Sequence, residues 1–274
     1  MKKNANLPAL IFMFALLIVW QCIAMGMNAA YILPSPTQVL VRLWELRKPL
    51  FTAHLPATML CTGVGLAISI ALGLLLAIAK LQDVDNLTGN PVIIWIRKMV
   101  AGFANGYISV IRGTPAVVQL MVIYFILYLR VLNKLPFFSG ISDVVIASIA
   151  FGINSSAYVA EIIRAGILAV DKGQTEAGRS LGLSGGATMI HIVIPQAVKN
   201  VLPALGNEFI VLLKETSVAG YIGIADLTKG AQSVGSVTYN YIVPLLCAAY
   251  IYFLMTTVLS TGLNTLERRM RRSD

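Results

Sequence analysis

The chain has 274 residues, 57% of them hydrophobic and 12% charged, where water-soluble domains run at about 45–50% and about 25%. A soluble fold of this length could bury a sizeable core but would lack the charge to cover its surface, which excludes an ordinary water-soluble protein. The net charge of +9 lies beside and between apolar runs, as on cytoplasmic membrane flanks facing anionic lipid, and no basic module with interleaved aromatics points to nucleic acid.

Crossing about 30 Å of hydrocarbon at about 1.5 Å per residue takes around 20 apolar residues. Leu7 to Ile32, preceded by Lys2 and Lys3, gives a first span. A signal peptide would have to be cut at Ala24, Ala29 or Ala30, and the run is long for a signal core, so an uncleaved helix is expected. Leu55 to Ala79 is the second span, and Thr114 to Leu129 the apolar part of a third, entered through Arg112. Gly113-Thr114-Pro115 breaks a helix there; Thr114 and Gln119 either brace the break or offer polar groups to a ligand.

Val144 to Ala160 is a fourth span and meets Glu161. An ionisable group at membrane depth is costly. Glu161 therefore either pairs with Arg164 at i+3 or receives a substrate ammonium. Val201 to Leu213 is only thirteen residues and contains Glu208, so hydropathy alone reads it as a buried or re-entrant helix, with Glu208 and Lys214 serving helix packing. Tyr239 to Leu263 is the last span, followed by Arg268, Arg269, Arg271 and Arg272. Cys22, Cys61 and Cys247 each sit in an apolar run with no second ligand at metal spacing, which predicts small buried hydrophobes.

The one long polar connection runs from about Arg164 to Lys199, and a cytoplasmic partner would have to meet the protein here. It contains Glu176-Ala177-Gly178, Gly182 four residues later, then nine residues before Ile192-Val193-Ile194-Pro195. The pattern predicts a short helix over 175–181 with Glu176 in its first turn, a reversal at Gly182 in the left-handed conformation, and a second helix capped by Ser184. His191 stands alone and supports no catalytic role.

This stretch resembles the EAA loop of ATP-binding-cassette (ABC) importer permeases at full spacing, with Gly178 for the second Ala and Ile194 for Leu. Its flanks are similar to the polar amino-acid uptake class: Ser156-Ala157-Tyr158-Val159-Ala160-Glu161 through Ile167, Arg112-Gly113-Thr114-Pro115 with Gln119, and Leu202-Pro203-Ala204-Leu205-Gly206-Asn207-Glu208 through Ser217. The match covers about Arg97 to Arg272. The head, Tyr31-Ile32-Leu33-Pro34-Ser35-Pro36-Thr37, looks more like nitrate, sulfonate and taurine permeases.

The resemblance implies an all-α polytopic bundle of the type I importer kind, with Val201 to Leu213 counted as a fifth of six spans. Fourteen Lys and Arg on inner segments against seven on outer ones place both termini inside. The expected organisation is an N-terminal helix and connection over 1–54 and a permease domain over 55–274, with the coupling loop at about 165–195. Implied coupling residues are Glu176, Ala177, Gly178, Gly182 and Pro195; implied pathway residues are Glu161, Thr114, Gln119, Ser156, Tyr158 and Asn207. Implied partners are an ABC ATPase subunit dimer, a second permease copy (identical or paralogous), an extracytoplasmic substrate-binding protein and the lipid of a bacterial inner membrane.

The chain has no Gly-x4-Gly-Lys-Ser/Thr loop, so ATP and Mg would belong to the partner; no cofactor, metal site or catalytic residue is expected here. The competing readings are an anion permease of the sulfonate or nitrate class and a self-sufficient secondary transporter, which would leave the docking loop unexplained.

Overall fold

A bilayer offers backbone groups no partner, so an apolar run closes its own hydrogen bonds as a helix. The computed structural model describes residues 7–26, 33–81 and 89–270, which hold helices and no strand. Lys2, Lys3, Ala29, Ala30, Tyr31, Ile32, Arg271 and Arg272 lie outside the described residues.

The described residues of Met1–Ala57 and Ala225–Met255 form one compact unit. It contains α1 (Leu7–Gly26), α2 (Pro36–Pro49), α10 (Leu227–Thr238) and the first half of α11 (Ile242–Met270). Ser35 starts α2 with a capping box: its Oγ accepts from Gln38 N at 3.3 Å while Gln38 Oε1 accepts from Ser35 N at 2.8 Å. Pro36 follows at a position where no donor is needed. The fully buried Asp226 caps α10, accepting from Thr228 N and Lys229 N at 2.9 and 3.0 Å. Leu50, Leu227, Ala231 and Cys247 are wholly enclosed in its core.

The described residues of Thr58–Ile224 and Thr256–Asp274 form the second unit. It contains most of α3 (Leu55–Lys80), then α4 (Pro91–Gly113), α5 (Ala116–Met121, running on as a wide π-type helix to Val131), α6 (Asp143–Leu168), α7 (Lys172–Ser180), α8 (Gly185–Thr188) and α9 (Ile194–Glu215). Helix α6 is the most enclosed of the apolar helices. Helix α3 buries Thr58, Cys61, Thr62, Gly65, Ser69, Gly73 and Ala77, a stripe of small residues, and exposes Leu60, Leu74, Leu75 and Ile78. That is the arrangement lipid favours, since backbones gain by approaching closely while large apolar side chains lose nothing by facing hydrocarbon. A Cβ on Gly152 would stand 2.7 Å from Ile68 Cβ and 3.0 Å from Gly65 O; one on Gly73 would stand 2.8 Å from Val159 Cβ.

Four helices among the described residues are long and apolar enough to cross a membrane: Leu50–Lys80, Ala116–Lys134, Asp143–Leu168 and Ile242–Met270. They match the second, third, fourth and last expected spans. Helix α9 extends the thirteen-residue expectation to 22 residues. Three helices were not anticipated. Helices α2 and α10 are short, and α4 is interrupted in sequence by Arg97, Lys98 and Arg112, which hides its apolar faces from a search for continuous runs. Cys61 and Cys247 are buried as expected, whereas Cys22 is exposed on α1, whose described surface is largely apolar.

Candidate functional site

The polar connection folds as a helix–turn–helix. Asp171 caps α7, its Oδ1 accepting from Gly173 N at 2.6 Å. The cap moves the helix start three residues ahead of the predicted one, so Glu176 lies in the second turn and Asp171 supplies the N-terminal negative charge. At the other end Gly182 adopts φ +84°. Leu183 N donates to Gly178 O at 3.1 Å and Gly182 N to Arg179 O at 3.0 Å, the paired bonds of a Schellman reversal. Ser184 Oγ then accepts from Ala187 N at 3.2 Å and caps α8.

Gly178 is where α7 presses on the returning helix. A Cβ there would come within 2.8 Å of Ile192 Cδ1 and 2.9 Å of Thr188 Cγ2. After α8 the helix widens into a π-type turn over Met189–Val193 and resumes as α9 at Ile194. Pro195 stands on the far side of that turn; it has no N–H to give, and its ring crowds the carbonyl four residues back. Glu176, Ala177, Gly182 and Pro195 are exposed. So are Leu181, at 82%, and Ile190, at 60%.

Within the span α6, Glu161 carries two cations rather than one. Arg164 donates to Oε2 through Nε at 3.0 Å and Nη2 at 2.9 Å, and Lys80 of α3 bonds Oε1. Lys80 was missed because it lies 81 residues away in sequence. Thr114 and Gln119 brace the helix break. Gln119 Nε2 donates to Ile111 O at 2.8 Å and to Thr114 Oγ1 at 2.6 Å, while its Oε1 accepts from Asn154 at 2.9 Å. Ser156 Oγ meets Tyr107 OH at 2.8 Å, and the Tyr158 ring lies 5.5 Å from the Arg112 guanidinium carbon. Asn207 is exposed on α9.

Next to Asn207 is a carboxylate in a different situation. Glu208 is 8% exposed, its Oε1 accepts from Ser155 Oγ at 2.7 Å, and among the described residues no Lys or Arg pairs with it. Sequence reasoning assigned Glu208 to packing. Its lack of a cation is legible in the sequence, as a carboxylate within a short apolar run with no Lys or Arg one turn away on either side.

The binding-protein-dependent transport system inner membrane component family model matches residues 69–272. An arginine transport system permease protein of Bacillus subtilis (strain 168) is 39% identical over 228 residues, 82% of this chain and 94% of the relative. A glutamine transport system permease protein of Escherichia coli (strain K12) is 37% identical over 223 residues, 81% of this chain and 94% of the relative. Among solved structures, an amino acid ABC transporter crystallised with histidines aligns at TM-score 0.69 and 45% identity, covering 81% of this chain and 95% of that one.

Proposed function

This chain belongs to the family of binding-protein-dependent transport system inner membrane components, and on that premise we propose that it forms the pathway by which polar amino acids enter the cell. It is a multi-pass inner-membrane permease subunit of an ABC importer, not itself an enzyme; ATP is bound and hydrolysed by a separate ATPase subunit. A substrate-binding protein feeds it.

A second permease copy completes the pathway, six spans leave both termini and the 165–195 loop inside, and the permease domain occupies 55–274. Glu176, Ala177, Gly178, Gly182 and Pro195 belong to the element that docks on the ATPase. The amino acids named for the relatives, arginine and glutamine, carry an ammonium group that a membrane carboxylate can receive. Glu208 suits that task better than Glu161, because Lys80 and Arg164 already occupy Glu161. Thr114, Gln119, Ser156, Tyr158 and Asn207 hold the surrounding helices or line the route.

The observation that carries this proposal is the buried Glu208, with one hydroxyl donor and no cation. It weighs against a simple anion such as nitrate, which brings no cation to the carboxylate, whereas taurine carries an ammonium group and is separated from amino acids by the uptake assay. Proteoliposomes containing the chain, its ATPase subunit and its binding protein should accumulate labelled arginine or glutamine only with ATP inside the ATPase compartment. Equal uptake without the ATPase subunit would make the chain a secondary transporter, and uptake of taurine in preference to amino acids would assign the anion class.

A further inference from the structure

Helix α4 presents three different faces. Ala101, Ala104 and Ile108 are buried. Trp95, Met99, Phe103 and Val110 are exposed at 63%, 55%, 71% and 63%. Between these two apolar faces runs a third, made of Lys98, Gly102, Asn105, Ser109 and Arg112, all exposed. The spacings are four, three, four and three residues, which at about 100° per residue keeps all five within roughly 40° of one line along the helix.

The depth of this line gives it meaning. Tyr107, on the same helix, donates to Ile153 O at 2.7 Å and meets Ser156, both at the middle of the 26-residue α6. Polar groups facing hydrocarbon at that depth would go unsatisfied. In the six-span arrangement α4 belongs to the inner connection between the second and third spans, with Tyr107 bringing its C-terminal half to the middle of α6, and it is not among the helices apolar enough to sit with lipid all round. A helix with one apolar side toward lipid, one toward the core and a continuous polar strip fits a wall with water along it. The small glycine at 102 leaves the strip open; nothing lies within 4 Å of where its Cβ would stand, nor beside Gly106 or Gly113.

We propose that the Lys98–Gly102–Asn105–Ser109–Arg112 strip of α4 is a wall of the translocation pathway, and that Arg112 with Ser109 takes the α-carboxylate of the amino acid. The strip has cations at both ends, and the aromatic face of Tyr158 lies 5.5 Å from the Arg112 guanidinium carbon. No carboxylate among the described residues pairs with Arg112. This assignment rests on the amino-acid importer reading above: Glu208 would receive the ammonium group, and Arg112 the opposite charge of the same zwitterion.

The test uses single cysteines at Gly102, Asn105 and Ser109 on the strip and at Met99, Phe103 and Val110 beside it, in a chain lacking Cys22, Cys61 and Cys247. Each is assembled with the ATPase and binding protein in vesicles and exposed to a water-soluble methanethiosulfonate. Only the thiolate reacts, and apolar surroundings suppress it, so strip positions should label at least about tenfold faster than their neighbours. Arginine or glutamine should slow labelling at Ser109→Cys. Equal labelling of both faces would overturn the pathway assignment. Arg112→Gln should raise the apparent KM for the amino acid about ten- to a hundredfold, and Arg112→Lys should restore part of it. For the decarboxylated amine of arginine, parent and Arg112→Gln should perform alike; an equal loss for both ligands would refute the carboxylate role. ATP-driven uptake by the cysteine-free parent reports separately on the amino-acid importer reading itself.

Discussion

At the scale of single residues, the two acidic groups in the second unit separate by the company they keep. Glu161 holds Lys80 and Arg164 together at side-chain exposures of 19%, 26% and 32%. Replacing it with Gln strands two cations. The cost is set below the about 3–5 kcal/mol of a fully buried pair, because water still reaches all three groups. Glu161→Gln should therefore show as poorer assembly and a lower melting temperature of the purified complex. Glu208→Gln removes no partner's counter-charge, so assembly should survive while apparent affinity for the amino acid falls about ten- to a hundredfold. Transport assays and melting curves on both variants test the pair of statements; the reverse pattern would return the substrate role to Glu161. Gly182 makes a third residue-scale case. At φ +84° a Val would be strained by at least about 1–2 kcal/mol, in a turn with nothing else nearby. Gly182→Val should leave membrane insertion normal and reduce amino-acid-stimulated ATP hydrolysis, measured in the reconstituted complex with Glu176→Ala alongside. Normal stimulation in both would place the ATPase contact elsewhere.

At the scale of elements, the seam between α3 and α6 depends on glycine at the points of closest approach. Gly152→Leu must push Ile68 aside and collide with the carbonyl of Gly65, so it should abolish stable expression, whereas Gly102→Leu on the open strip of α4 should express normally. Quantitative blotting of membranes distinguishes them. The sequence made the strongly apolar elements legible because each is a nearly unbroken run, and it made the coupling turn legible because Gly182 and Ser184 are punctuation with a local cause. It hid α4, whose three faces average to middling hydropathy, and it hid the second partner of Glu161 and the partner of Glu208. Lys80 and Ser155 are 81 and 53 residues from the carboxylates they meet, and nothing local announces such distant pairs. The depth of α9 in the fold was likewise readable only by resemblance, since Lys199, Glu208 and Lys214 obscure its length.

At the scale of the whole molecule, the chain has sidedness. Both ends and the loop containing Lys172 should face the cytoplasm. A cysteine at Lys172, in a chain lacking the three native ones, should resist an impermeant thiol reagent added to intact cells and react once the membrane is opened. Strong labelling from outside would invert the topology and remove the ATPase from reach of Glu176–Gly182.

The wide turn over Met189–Val193 has a consequence of a geometric kind. A π-type turn accommodates about one residue more than an α-helical turn, so everything after it is rotated by about 100° relative to an unbroken helix. The rotational phase of α9, and with it the direction in which Glu208 meets Ser155, is set by a local under-winding that ends fifteen residues earlier. Losing the extra residue would let the turn close to ordinary α-helix while α9 kept its bearing. Deleting Ile190 should therefore be better tolerated in assembly than deleting Val198, which lies within α9 itself and has no slack to surrender. If both deletions are equally damaging, the turn is not a reservoir of phase, and the aim of Glu208 is fixed by its packing on α6 alone.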